Sequence, residues 1–271
     1  MSLLPDPNRM QPAAPQTGRL SLVGAGPGAA DLMTLRAVDR LRQADIVLHD
    51  RLVGPGVLAL IPPGIPRIDV GKECGSHRWT QAAIDARIRA ELRRGRHVVR
   101  LKSGDPSVFG RAAEEVAAAT AEGAPAEIVP GITAASAAAA SLGQPLTTRG
   151  VAQRLILATA TGRDGVLAEG TGAGFGPGAA LALYMGRHRL AGIRDSLLAR
   201  GADPATAVSI VTACSLPDEH RITLPLARLA EAATPAGPAI LLLRWGQVVE
   251  AAPLAPAVPR AERAVASGGD I

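Results

Sequence analysis

From Leu101 to Arg111 the chain reads Leu-Lys-Ser-Gly-Asp-Pro-Ser-Val-Phe-Gly-Arg, residue types that in this order can hold a small polar ligand. The run His97-Val98-Val99-Arg100-Leu101 predicts a short strand that ends in a turn of Ser103, Gly104, Asp105 and Pro106. A helix then opens with Arg111-Ala112-Ala113-Glu114-Glu115. In an open α/β sheet, ligands bind at turns on the carboxyl ends of the strands. Glycine there lets a backbone approach the ligand closely, and Asp105 is a small acceptor suited to a ribose or an amino group. A second turn of this kind, Val23-Gly24-Ala25-Gly26-Pro27-Gly28, follows the predicted strand over 19–23. Two such turns in one half of the chain point to a nucleotide-like small molecule.

Other residues suited to chemistry stand at further strand ends. Asp50-Arg51 lies just past a predicted strand over 45–48, where a carboxylate serves either as a base or orienter of a substrate N–H, or as an ordinary turn former. Lys72 follows Gly71, and reads as a functional ammonium or as a solvated surface lysine. Met185, in Tyr184-Met185-Gly186, reads singly as core packing. Together these residues put small or polar groups at successive strand ends along one edge of a sheet. Gly24-Ala25-Gly26-Pro27-Gly28-Ala29 also matches a tolerated form of the dinucleotide fingerprint, and Asp45 stands about 20 residues on, where a ribose-binding acid belongs. Pro27 interrupts that turn, and Asp31 is placed to cap the following helix instead.

The elements that must position these groups alternate. Strands are predicted over 20–23, 45–48, 67–70, 97–101 and 127–129, with helices near 31–43, over 81–94, over 112–122 and from Thr133 onward. That alternation indicates a mostly parallel, wound sheet. The segment 144–150 reads as a joint. A second α/β unit follows, with strands over 154–158, 180–184, 207–211 and 239–243, a helix over 190–200 and a glycine-rich loop over 164–178. The expected organisation is a tail over 1–17, an amino-terminal α/β domain over 18–147, a carboxy-terminal α/β domain over 148–252 and a flexible Ala/Pro-rich tail over 253–271.

Composition narrows the function classes. A chain of 271 residues with 47% apolar residues can build a substantial core, while aromatics make up only 2%. Base-stacking platforms are therefore nearly absent, and no Lys/Arg block accompanies the net charge of +5, so no nucleic-acid arm is expected. The positive excess fits an anionic small substrate as well as it fits a basic protein with no charged partner. Cys74 and Cys214 form no CxxC pair, and the five histidines form no metal pattern. No metal and no disulfide framework are expected, and the chain fits a reducing, cytoplasmic compartment. The start of the chain lacks the apolar segment of a signal peptide. The uncharged run 128–148 is broken by Pro130, Gly131, Gly143 and Pro145 and reads as strand, turn and buried helix rather than as a membrane span.

The motifs in combination resemble the tetrapyrrole (precorrin) methylases over about residues 18–250. The resemblance rests on Val23-Gly24-Ala25-Gly26-Pro27-Gly28 with Asp31-Leu32, Thr34-Leu35 and Ala37, then Asp50-Arg51-Leu52-Val53, then Val70-Gly71-Lys72. Leu101-Lys102-Ser103-Gly104-Asp105-Pro106 with Val108-Phe109-Gly110-Arg111, and Val129-Pro130-Gly131-Ile132-Thr133-Ala134, follow in the same order. It is narrowest to those members that C-methylate uroporphyrinogen III. It implies two α/β domains with mostly parallel or mixed sheets flanked by helices, and S-adenosylmethionine folded in the cleft between them. By the resemblance, the cofactor contacts are Pro27, Ser103, Gly104, Asp105, Val108, Thr133, Ala134, Met185, Ala213 and Ala239. Asp50, Arg51 and Lys72 are the implied catalytic residues. Arg51, Lys72, Arg149, Arg154, Arg163 and Met185 are the implied tetrapyrrole contacts, because arginine suits bidentate recognition of acetate and propionate arms.

The implied reaction methylates uroporphyrinogen III at carbons 2 and 7 to give precorrin-2, with S-adenosylhomocysteine as by-product, for cobalamin or sirohaem synthesis. A homodimer with no membrane or nucleic-acid partner is implied as well. Two departures stand out. Ser103 replaces a family glycine, which keeps a backbone contact if its φ is ordinary. Thr159-Ala160-Thr161-Gly162-Arg163 replaces a family Thr-Gly-His segment, with Arg163 a candidate carboxylate binder in its place. The rival readings are a methylase for a later precorrin, a nicotinamide-dependent oxidoreductase using 24–29, and a sensor that binds S-adenosylmethionine without turnover.

Overall fold

The computed structural model describes residues 17–71, 79–162 and 164–248. Its amino-terminal half runs β1 (Arg19–Gly24), α1 (Leu35–Arg42), β2 (Ile46–His49), α2 (Pro55–Leu58), β3 (Arg67–Asp69), α3 (Gln81–Leu92), β4 (His97–Lys102), α4 (Ala112–Thr120), β5 (Ala126–Val129) and α5 (Ala134–Ser141). The carboxy-terminal half runs β6 (Arg154–Thr159), β7 (Ala179–Tyr184), α6 (Leu190–Ala199), β8 (Thr206–Thr212), β9 (His220–Pro225) and β10 (Ala239–Val248).

The first five strands form one sheet in the order β3-β2-β4-β1-β5, and every pairing in it is parallel. Side chains alternate between the faces of a strand, so Leu20, Leu22, Ile46, Leu48 and Val98 meet α3 and α4 on one face. Val23, Val47, Val99 and Leu101 meet α1 and α2 on the other. The second sheet has the order β6-β7-β10-β8-β9; only β6–β7 is parallel and the other pairs are antiparallel. Its main core gathers Leu181, Leu183, Val208, Ile210 and Leu241 under Ile193 and Leu197 of α6.

Helix α5 follows a strand of the first sheet but packs on the second. Ala135, Ala137, Ala138 and Leu142 bury against Ala182, Val211 and Ile240. Its alanines keep the helix thin, and this one element seats the two sheets against each other.

Local differences from the sequence expectation have physical causes. The helix expected near 31–43 divides into a 3₁₀ turn, Ala30–Leu32, and α1. The cap is Thr34, whose Oγ1 accepts from the Ala37 N–H at 3.1 Å, and Asp31 lies exposed in the turn before it. Strand β9, not anticipated, is an edge strand that closes on Pro225, a position where the lost N–H of proline is harmless.

Candidate active site

The candidate site lies at the carboxyl ends of β1, β2, β4 and β5, where the backbones of three turns nearly touch. A Cβ added to Gly24 would stand 2.6 Å from Gly131 Cα and 2.7 Å from the Gly104 carbonyl; one added to Gly131 would stand 2.2 Å from that carbonyl. Gly104 takes φ +69°, so the left-handed residue in this turn is a glycine and Ser103 keeps an ordinary φ. The glycines of the first turn thus serve backbone packing. Asp105 braces the same junction: Oδ1 accepts from Ser107 N–H at 2.8 Å and from the Ser107 hydroxyl, and Oδ2 from Gly131 N–H at 3.2 Å.

Non-glycine residues with positive φ are Phe109, Arg111, Met185, Ala213 and Ser215 among those described. Each lines the region between the sheets or is the chain neighbour of a residue that does. Left-handed backbone at such residues costs on the order of 1 kcal/mol or more apiece, and such strain gathers at functional sites.

A cavity of about 360 Å³ opens between the sheets. Pro27, Leu52, Ser103, Gly104, Asp105, Val108, Phe109, Thr133 and Ala134 line it from one side, and Tyr184, Met185, Val211, Cys214, Leu216, Pro238, Ala239 and Ile240 from the other. Contacts at Tyr184 and at Ser215–Leu216 join its walls. Tyr184 OH shares a 2.5 Å hydrogen bond with Thr133 Oγ1 and accepts from Ala135 N–H at 3.3 Å, while its ring lies 5.0 Å from that of Phe109. Ser215 Oγ accepts from Ala29 N–H at 2.9 Å, and a Cβ on Gly28 would strike Leu216 at 2.8 Å.

An adjoining cavity of about 380 Å³ shares Leu52, Ser103 and Phe109 with the first and is more polar, lined also by Asp50, Arg51, Gly71, Gln81, Arg100, Lys102 and Arg111. Its floor is set by strand periodicity. Leu48 pairs with Arg100 across β2 and β4, so Asp50, Arg100 and Lys102 continue the face that α3 and α4 cover. Glu115 of α4 is fully buried there. Lys102 Nζ donates to its two oxygens at 2.9 and 2.8 Å, Arg100 Nε at 3.1 Å and Gln81 Nε2 at 3.3 Å. The other end of the Arg100 guanidinium pairs with Asp50 Oδ1. Burial, with the Arg100 cation beside it, pulls the Lys102 ammonium below its ordinary value, against the opposing pull of Glu115.

Of the residues expected at the site, Pro27, Ser103, Gly104, Asp105, Val108, Thr133, Ala134, Met185 and Ala239 line the first, more apolar cavity, and Asp50 and Arg51 line its neighbour. Ala213 is buried between the lining residues Val211 and Cys214 and does not itself line the cavity. Arg149 is exposed and lines neither cavity. Arg154 begins β6, five residues before the strand end at Thr159 that pairs with Tyr184, and so stands about 16 Å from the cavity end of its strand. It bonds the Pro177 carbonyl instead. Lys72 and Arg163 lie outside the described residues. Tyr184, Leu52, Phe109 and Leu216 line the two cavities, and Arg100 and Lys102 meet Glu115 beneath the second, none of them singled out by the sequence.

The dinucleotide reading fares poorly at each of its parts. The first turn leads to a 3₁₀ turn and a helix capped four residues further on. Asp45 lies at the amino end of the sheet, where its carboxylate accepts from the His97 N–H at 2.7 Å. Among the described residues no group of His, Cys, Asp and Glu could hold a metal ion, and no helix is long and apolar enough to cross a membrane.

Comparison with known proteins agrees with this geometry. The family model of the Tetrapyrrole (Corrin/Porphyrin) Methylases matches residues 19–230. A uroporphyrinogen-III C-methyltransferase of Paracoccus denitrificans is 44% identical over 216 residues, 79% of this chain and 75% of that protein. Siroheme synthase 2 of Halorhodospira halophila is 40% identical over 238 residues, 87% of this chain and 48% of that protein, so the chain spans about half the length of such relatives. A crystal structure of uroporphyrin-III C-methyl transferase from Thermus thermophilus, complexed with S-adenyl homocysteine, superposes with a TM-score of 0.73 at 36% identity, covering 83% of this chain and 97% of that one.

Proposed function

The chain belongs to the tetrapyrrole methylases, and from that premise we propose that it transfers methyl groups from S-adenosylmethionine to uroporphyrinogen III, at carbons 2 and 7, giving precorrin-2. The observation that carries this reading is the joining of two cavities at the strand ends. One is largely apolar and lined by the expected cofactor residues; the other carries the charged side chains of Asp50, Arg51, Arg100, Lys102 and Arg111. The cofactor fits the first on chemical grounds. Backbone groups of the Ser103–Asp105 turn suit its polar end, and the apolar side chains of Leu52, Val108 and Ile240 suit its ring.

In the reaction a pyrrole carbon attacks the sulfonium methyl. The new C–C bond forms as the C–S bond breaks, S-adenosylhomocysteine leaves, and a proton departs from the pyrrole. Cavity walls on both sides hold the reactants in line, which supplies much of the acceleration. Asp50 takes the proton or steadies the pyrrole N–H groups. Arg51 and, from outside the described residues, Lys72 and Arg163 meet the carboxylate arms, and Met185 lies where the reacting face meets the second sheet. Action as a homodimer in the cytoplasm, supplying cobalamin or sirohaem synthesis, belongs to the same reading.

Anaerobic incubation with S-adenosylmethionine and uroporphyrinogen III, followed by mass spectrometry, tests it. A doubly methylated product is expected. Tight S-adenosylhomocysteine binding without methylation overturns the substrate and moves the search to later precorrins. Absence of both overturns the methylase reading.

A further inference from the structure

We infer that Arg100 is a positioning residue for Asp50, with Glu115 as the buried anion that keeps the guanidinium aimed. The inference rests on the reading of Asp50 as the group that faces the pyrrole.

Arg100 is only 2% exposed, and its guanidinium is held on every side. Nε donates to Glu115 at 3.1 Å, Nη1 to the Leu101 carbonyl at 3.1 Å and the Leu48 carbonyl at 3.4 Å, and Nη2 to Asp50 Oδ1. A planar fork fixed at one end by Glu115 and along one edge by two strand carbonyls has a single orientation left for its remaining donors. Asp50, by contrast, sits at the loose end of β2 with its side chain 30% exposed. Arg100 holds Oδ1, and Oδ2 has no partner among the described residues. The carboxylate is therefore anchored by one oxygen and presents the other.

Glu115 makes this arrangement possible. Without its charge, Arg100 and Lys102, two residues apart on the same strand face, would be neighbouring buried cations. With it, the row Asp50, Arg100, Glu115, Lys102 alternates in sign and sums to zero. Nothing in the row lines the apolar cavity between the sheets; Leu52, Ser103 and Phe109 stand between. Damage to it should reach turnover and leave cofactor binding alone.

The test is Arg100→Lys, which keeps the charge and loses the fork, in wild-type and Asp50→Asn backgrounds. In the wild-type background kcat is expected to fall about 10- to 100-fold, as for a misplaced reacting group, with S-adenosylhomocysteine affinity within about twofold. In the Asp50→Asn background the same substitution is expected to cost less than about threefold, because the carboxylate it positions is gone. An equal loss in both backgrounds, or a parallel loss of cofactor affinity, overturns the inference in favour of a scaffold role. If Arg100→Lys does not fold, Gln81→Ala, which removes one restraint on Glu115, must lower kcat at constant cofactor affinity; unchanged kcat overturns the inference. Failure of the wild-type protein to methylate uroporphyrinogen III overturns the reading of the preceding section together with this one, whereas an active wild type with an equally active Arg100→Lys overturns this one alone.

Discussion

The two ends of the parallel sheet each bury a polar cluster, and they differ in what those clusters leave undone. At the amino end, His97 places Nε2 2.8 Å from Ser21 Oγ and Nδ1 2.9 Å from the Gln43 carbonyl; Ser21 Oγ reaches Glu127 at 2.7 Å, and Arg40 pairs with Glu127 from outside. The groups satisfy one another, and no non-glycine residue with positive φ lies nearby among the described residues. At the carboxyl end the row from Lys102 to Asp50 is as well bonded until its last member, which lines a cavity and has, among the described residues, no partner for its second oxygen. The strained residues gather at that end. Buried charge is therefore a poor marker of function. A bonded network that stops one partner short, beside backbone strain, is a better one.

The largest expected effect that would break this contrast is at Asp50. Asp50→Asn should lower turnover about 10²- to 10⁴-fold, the range for a lost acid–base group, while S-adenosylhomocysteine affinity measured by calorimetry barely moves. An equal loss of both would remove Asp50 from the chemical step.

Next in size is the structural weight of each cluster. Glu115→Ala strands the buried Lys102 and leaves Arg100 with Asp50 as its one carboxylate among the described residues, and should cost about 3–5 kcal/mol in urea unfolding. Glu127→Ala, whose side chain is 39% exposed, should cost at most about 1 kcal/mol. Equal losses would mean that the two networks are energetically alike.

A smaller effect is expected with acid. Burial holds His97 below its ordinary value, so folding favours the neutral ring. Hydrogen bonding from Arg40 likewise holds the Glu127 carboxyl low. Both contributions are complete above the unfolded values, about 6.5 for histidine and about 4.3 for glutamate, and are lost as pH falls through the folded ones. The melting temperature should fall on acidification below about pH 6.5. His97→Gln should flatten that fall without changing kcat, since His97 lies at the opposite end of the sheet from both cavities.

The smallest effect is at Arg154. Arg154→Ala should change turnover and tetrapyrrole KM less than about twofold, as for a surface substitution away from the site. A larger rise in KM would bring the far end of β6 back into substrate binding.

The turns were legible in the sequence because Gly, Pro and Asp mark them through backbone geometry, and their order carried the family resemblance. Direction along a strand was harder to read: Arg154 is near the cleft in the chain but at the wrong end of β6, and only pairing with β7 reveals it. Tyr184 was read as a strand end, because its partners Thr133 and Ala135 come from a helix that leaves the first sheet for the second. The Arg100 row had a signal that went unused. Two cations two residues apart inside a valine-rich strand share one face, and the Glu114-Glu115 pair opens the helix that covers it. Asp31 reads as the cap from sequence, whereas a three-residue 3₁₀ turn, which has no hydrophobic period of its own, separates it from the helix that Thr34 caps.

Tyr184 is the chain's sole tyrosine, and the two tryptophans are Trp79 and Trp245, the latter stacked edge-on against Phe175 in the second sheet's core. Nature has in effect placed one phenol chromophore at the seam. Its near-ultraviolet absorbance and ring resonances come from a single position, so a ligand that separates the phenol from Thr133 or tilts it against Phe109 writes its arrival into the spectrum, with no label required.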